Sequence, residues 1–403
     1  ESPALTARRA RRAERSGAPH DPIVWREARG ANVLDADGNV FVDLTAGFGV
    51  AAAGHAHPRI VQALTSQSSL LIHALGDVHP SDVKVALLER LAAAAPFEGA
   101  RVVLGLNGSD AICAALKTAV LATRRAGVLA FEGGYHGLMY APLALCGYSE
   151  GFRAPFAAQL GPHVRFAPYP SDEPALERAL AAIDTTIGAV VIEPVLGRGG
   201  VVSAIGVDRI AARCREVGAL LVVDEIFTGL GRAGTFWAHR GVTPDLVCAG
   251  KALGGGLPLS ACLGREEVMA AWGDPSGEAI HTATFAGHPL ACATGLAQLD
   301  VIERERLVDR SRDEGARWLS DLQEKLRGSE HVREVRGRGL MIGVELDGGA
   351  RTLRVVRALL ERGWITLPAG AKAEVLSLTP PLSIARELLD AFTEVVAEAI
   401  AQH

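Results

Sequence analysis

The chain has 403 residues, with 41 Lys and Arg against 46 Asp and Glu and a formal charge of -5. A length of this order exceeds the usual single domain and predicts one large domain with a smaller one, while the charge balance carries no electrostatic footprint for nucleic acid or an anionic membrane surface. No apolar run approaches the ~18 residues that span a bilayer, and the start lacks a charged-then-apolar-then-cleavage pattern, so a soluble, cytoplasmic protein is expected.

The cluster Arg8, Arg9, Arg11, Arg12 and Arg15, interrupted by alanines, reads as a solvated terminal helix. Over residues 32–44, NVLDADGNVFVDL nearly alternates around an Asp37-Gly38 turn, which predicts a β-hairpin in a small N-terminal subdomain. From about 102 to 250 the short runs RVVLGL, GVLAFE, VRFAPY, GAVVIEP, ALLVVDE and DLVCAG alternate with Ala/Leu/Arg-rich helical stretches. Continuous apolar runs belong to strands buried on both faces. The expected fold class is therefore α/β, a mainly parallel sheet wrapped by helices.

After Pro289 a single long helical segment is predicted from 290 to about 326. VREVRGRGLMIGVEL, a helix over 353–362, VLSLTPPLSI and a final amphipathic stretch complete an α+β small domain into which the N-terminal hairpin packs. The expected division is 1–53 and 291–403 for the small domain and 54–290 for the large one. No internal repeat or low-complexity linker is visible. Cys113, Cys146, Cys214, Cys248, Cys262 and Cys292 are scattered without metal-like spacing, so no metal site is predicted and a reducing compartment fits.

In doubly wound sheets ligands bind beyond the carboxyl ends of the strands. Four such ends carry polar groups. In LGLNGSDAICAALKTA a strand runs into Gly108 and Ser109 at a helix start, where free N–H groups and a hydroxyl form a cradle for phosphate; a plain N-cap explains the same residues. In FEGGYHG, Tyr135 and His136 place a flat aromatic group at the sheet edge, either for a ligand or as a cover for the core. In LVVDEIFTGLGRAG the buried run ends on Asp224, whose carboxylate needs a cation: a protonated heteroaromatic nitrogen, or Arg232 nearby in sequence. In DLVCAGKALGGGLPLS, Lys251 faces three glycines; burial lowers a lysine toward the neutral amine an imine requires, and a snorkelling side chain is the alternative. A phosphate cradle, an aromatic plate, an acid for a ring nitrogen and an imine-forming lysine together describe pyridoxal 5'-phosphate.

At these residues the sequence resembles the class III (ω-type) aminotransferases, fold-type I enzymes that depend on that cofactor. The likeness runs from DADGNVFVDLTAGFGVAAAGHAHP through YHG, IEPV, DEIFTGLGRAGTFWAHRGVTPDLVCAGKALGGGLPLSA and TATFAGHPLA to TPPLSI. It implies that Lys251 forms the imine link, Asp224 pairs with the pyridine nitrogen, Ile226 packs beneath the ring and Tyr135 stacks above. It also implies that Gly108 and Ser109 bind phosphate and Glu193 lies beside substrate and cofactor. Thr284 reaches the phosphate of a neighbouring subunit, so a homodimer with its active site at the interface is expected. The substrates it implies are a small amine donor and a carbonyl acceptor, exchanged by a ping-pong mechanism.

Phe227 stands where the family often has Gln, Ser377 where many members carry a carboxylate-binding Arg, Arg198 where a Glu commonly pairs with that Arg, and Leu138 where aminobutyrate-type members have another Arg. Two pockets follow. Either Arg198 takes over carboxylate binding, or Phe48 and Phe227 line an apolar pocket for amines without a carboxylate. The alternative activity is an amino acid or lactam racemase or epimerase, which needs a proton donor opposite Lys251.

Overall fold

The computed structural model describes residues 23–273 and 279–403; the N-terminal arginine cluster lies outside them. All six anticipated runs form strands of one seven-stranded sheet. Its order is Arg101–Gly105, Ser260–Gly264, Leu246–Ala249, Leu220–Asp224, Ile187–Ile192, Gly127–Phe131 and Val164–Ala167. The strand Ser260–Gly264 is the addition. It pairs antiparallel with both neighbours, whereas the remaining strands run parallel. Every residue of Ile187–Ile192 and Leu246–Ala249 is buried, the signature of strands covered on both faces.

The helices Gly108–Thr123 and Val207–Val217 lie among those packed on this sheet and bury apolar stripes against it. Asn107 caps the first by accepting the Asp110 N–H on its side chain.

The hairpin Asn32–Asp35 and Val40–Asp43 forms as expected, and its second strand pairs in parallel with Trp364–Ile365 from the C-terminal half. A four-stranded antiparallel sheet holds Val332–Arg338, Met341–Leu346, Val375–Leu378 and Leu367–Ala369. The helices Gly349–Glu361 and Arg386–Gln402 complete this region.

The single helix expected over 290–326 is two, Pro289–Arg304 and Leu307–Lys325. Arg306 between them takes a left-handed backbone (φ 51°), which ends the first helix and redirects the second so that its stripe, including Trp318 and Leu322, packs into the main core.

Candidate active site

The C-terminal ends of five parallel strands place Asn107 to Ser109, Tyr135 and His136, Glu193, Asp224 and Lys251 at one rim of the sheet. Two cavities open there. One, of about 520 Å³, is lined by Gly108, Ser109, His136, Asp224, Ile226 and others; a second, of about 370 Å³, is lined by Phe48, Arg198, Leu367, Ser377 and others. Tyr135, Glu193, Phe227 and Lys251 line both, so they stand at the junction.

Asp224 is buried, and its partner within the chain is His136, whose Nδ1–H donates to Oδ2 at 2.7 Å; Oδ1 accepts the Ile226 N–H at 3.0 Å. Arg232 is not that partner. It donates to the carbonyls of Leu340 and Pro380, and burial lowers it to about 9. Burial works against a charged His136, but the hydrogen bond and charge of Asp224 outweigh it and raise its pKa. His136 therefore does more than lend an aromatic surface. It partly compensates the carboxylate and fixes its orientation.

Glu193 accepts the Tyr135 N–H on one oxygen at 2.8 Å and the Gly197 N–H on the other at 3.0 Å. Burial, with the Asp224 charge adding to it, raises Glu193 to about 6. Burial also lowers the Lys251 amine. The Lys251 Nζ lies 4.2 Å from the centroid of the Phe227 ring, which shields one side of it from water. Glu225, the other half of the acidic pair, takes a structural part: it accepts the Ala238 and His239 N–H groups at 2.7 and 2.9 Å and the His239 ring at 2.7 Å.

Glycines set the close approaches. A Cβ on Gly108 would sit 2.8 Å from Ile226, one on Gly137 would sit 2.1 Å from the Ser109 hydroxyl, and Phe227 lies in a slot where Cβ atoms on Gly49 and Gly197 would come within 2.5 and 2.3 Å of its ring. Phe48 stands on a left-handed turn, with φ 47°, 56°, 63° and 82° from Ala46 to Gly49. The Asp43 carboxylate holds that turn by accepting from the Thr45 N–H, the Gly47 N–H and His55 Nε2 at 2.8, 2.9 and 2.8 Å.

The sequence-expected residues Gly108, Ser109, Tyr135, His136, Glu193, Asp224, Ile226, Lys251, Phe48, Arg198 and Phe227 all line these cavities. Thr284 does not. It is exposed and lines neither cavity of its own chain. At the helix start the Asp110 N–H is taken by Asn107, while the Gly108 and Ser109 N–H groups have no carbonyl inside the helix and can face an anion. With a carboxylate for a cationic ring nitrogen and an amine for an aldehyde, the donor set fits a phosphorylated pyridine carbaldehyde.

Comparison with known proteins gives the same reading. Residues 14–400 match the family model "Aminotransferase class-III". The acetylornithine aminotransferase of Methanosarcina acetivorans is 35% identical over 382 residues, 94% of this chain and 92% of that one. The alanine/serine racemase of Pyrococcus horikoshii is 31% identical over 412 residues, 94% of this chain and 86% of that one. The ornithine aminotransferase of Toxoplasma gondii, a structure with pyridoxal phosphate at partial occupancy in its active site, superposes with a TM-score of 0.87 at 31% identity, covering 98% of this chain and 93% of that one. The chain belongs to the class III aminotransferases, fold-type I enzymes that move amino groups with pyridoxal 5'-phosphate.

Proposed function

We propose that this chain transfers an amino group from an amine donor to a carbonyl acceptor with Lys251 as the residue that holds the cofactor and moves the proton. The observation that carries the reading is the placement of Lys251 and Asp224 at the ends of adjacent parallel strands, facing one cavity that is floored by a helix N-terminus. Pyridoxal phosphate, when bound, supplies the electron sink for charge left at the substrate carbon. Gly108 and Ser109 would hold its phosphate, Ile226 and Tyr135 would flank its ring, and Asp224, oriented by His136, would keep the ring nitrogen protonated. Lys251 Nζ, lowered by burial, would take the proton from the amine-bearing carbon and return it to the carbon two atoms away, across the amine nitrogen. Glu193 pins the Tyr135 and Gly197 backbone beside it. Phe48, Arg198 and Phe227 form the substrate wall.

The same reading takes the working unit as a homodimer. Leu70, Ile72, Leu75 and Val78 are exposed apolar side chains on a segment joined to 280–288 by the Asp77–Thr282 hydrogen bond and the His73–Phe285 ring contact at 5.4 Å. Such a patch fits a subunit interface, and from the same segment Thr284, between Thr282 and Phe285, would reach a second copy's phosphate site. Six free cysteines support a cytoplasmic location, and no described helix is long and apolar enough to cross a membrane. We take the small domain as 1–53 and 291–403 and the large one as 54–290, of which 1–22 and 274–278 lie outside the described residues.

Racemisation is the weaker reading, because it needs a proton donor opposite Lys251 and Arg198 stands where members with that activity can place an acid. Titrating the cofactor-loaded protein with amines, and following the visible absorption of the lysine-linked cofactor, tests the proposal. The band is lost with a donor and restored by a keto acid. Inversion of a single enantiomer without that loss would instead establish a racemase.

A further inference from the structure

Arg198 lies at the mouth of the 370 Å³ cavity, and no ion pair among the described residues includes it. The carboxylate that lines the same cavity, Glu193, has each oxygen committed to a backbone N–H. Aromatic rings restrain the guanidinium instead. Its Cζ lies 5.2 Å from the Tyr148 ring centroid and 5.6 Å from that of Tyr135. The Tyr148 hydroxyl donates to the Gly370 carbonyl at 2.9 Å, and the Gly370 N–H donates to the Arg198 carbonyl at 2.9 Å. Tyr148, Gly370 and Arg198 thus close a loop of contacts that orients the cation without neutralising it.

Ring faces hold a guanidinium without cancelling its full charge, whereas a paired carboxylate would occupy its fork. A restrained, unpaired guanidinium in a concave site presents parallel N–H donors matched to a planar carboxylate. The cavity that Arg198 and Lys251 both line is otherwise largely apolar, with Phe48, Phe227, Leu367 and Pro368 in its wall beside the hydroxyls of Thr45, Ser377 and Thr379. We infer that Arg198 is the receptor for a substrate carboxylate, and that Tyr148 is the positioning residue that holds it ready. This rests on the transaminase reading above and narrows it: the preferred amine carries a carboxylate across an apolar spacer from the reacting nitrogen.

The test uses the cofactor-loaded enzyme, pyruvate as acceptor, and paired donors: ω-amino carboxylates of three to six carbons, each with the alkylamine that has methyl in place of carboxylate. The readout is the ratio of kcat/KM within a pair, which cancels general damage. Wild type favours the carboxylates. Arg198→Ala lowers the ratio roughly ten- to a hundredfold, the loss typical of a charge-assisted hydrogen bond, and does so through KM. Tyr148→Leu lowers it at least threefold through KM, and Tyr148→Phe, which keeps the ring, restores most of it. Glutarate, which has no amine to react, binds wild type in calorimetry and binds Arg198→Ala at least tenfold more weakly.

A wild-type ratio near one, or an Arg198→Ala ratio within threefold of wild type, overturns the inference and leaves the transaminase reading standing. Failure to convert any donor, with the visible band unchanged, overturns both.

Discussion

Asp224 carries the main electrostatic tension at the residue scale, and the chain supplies part of the answer itself. His136, 88 residues away in sequence, donates to it at 2.7 Å. Removing one member of a buried pair strands the other's charge at roughly 3–5 kcal/mol. His136→Leu is therefore expected to destabilise the cofactor-free protein by that order in denaturant unfolding, and by less once cofactor offers Asp224 a second cation.

Glu193 gives a pH prediction. Its pKa is raised from 4.5 to about 6, so the folded state binds the proton more tightly than the unfolded state. The stability this group contributes is full below pH 4.5 and is lost as pH rises through about 6, by roughly 2 kcal/mol. Glu193→Gln carries a constant offset from its altered hydrogen bonds, but its stability relative to wild type should rise between pH 4.5 and 6 and then level off. A difference that stays flat across that window contradicts the buried, proton-binding role. The types of Lys251 and Asp224 at strand ends made them legible in sequence. The Asp224–His136 contact was not, because a contact between residues distant in the chain leaves no local pattern.

At the scale of elements, the helix Gly108–Thr123 starts with a glycine whose Cβ would press on Ile226 at 2.8 Å. Ala is the better helix former by about 1 kcal/mol, so Gly108→Ala should leave helix stability intact while overpacking the floor of the cavity. We expect cofactor affinity to fall roughly tenfold, read by equilibrium dialysis. Gly197→Ala probes the Phe227 slot in the same way. It lacks the left-handed backbone of Gly49, so the steric effect is not confounded by strain, and KM for the amine should rise while unfolding stays cooperative.

The six parallel strands were legible because burial on both faces writes an unbroken apolar run. Ser260–Gly264 escaped notice because SACLG is short and built of small residues behind a glycine-rich stretch. The break at Arg306 escaped because neither Gly nor Pro marks it and the apolar period continues through IERERLVDR.

At the scale of the whole molecule, the exposed apolar segment around Ile72 and Leu75 and the placement of Thr284 outside its own cavities make one expectation together. Ile72→Asp with Leu75→Asp should yield monomers in analytical ultracentrifugation and reduce activity by a hundredfold or more, because each site would lack the second copy's Thr284. Family and fold were legible across nearly the full length, since the motif residues sit at strand ends that the parallel topology gathers at one rim. The support around Arg198 was less so: Tyr148 and Gly370 come from separate segments and meet Arg198 only after folding.

If this rim presents one lysine to the cofactor, borohydride reduction of the loaded protein followed by peptide mass analysis identifies which one. The reduced cofactor's mass is expected on the peptide that contains Lys251, and is expected to be absent from Lys251→Ala protein. Recovery of that mass on Lys84, Lys117, Lys325 or Lys372, or on no lysine at all, would contradict that expectation.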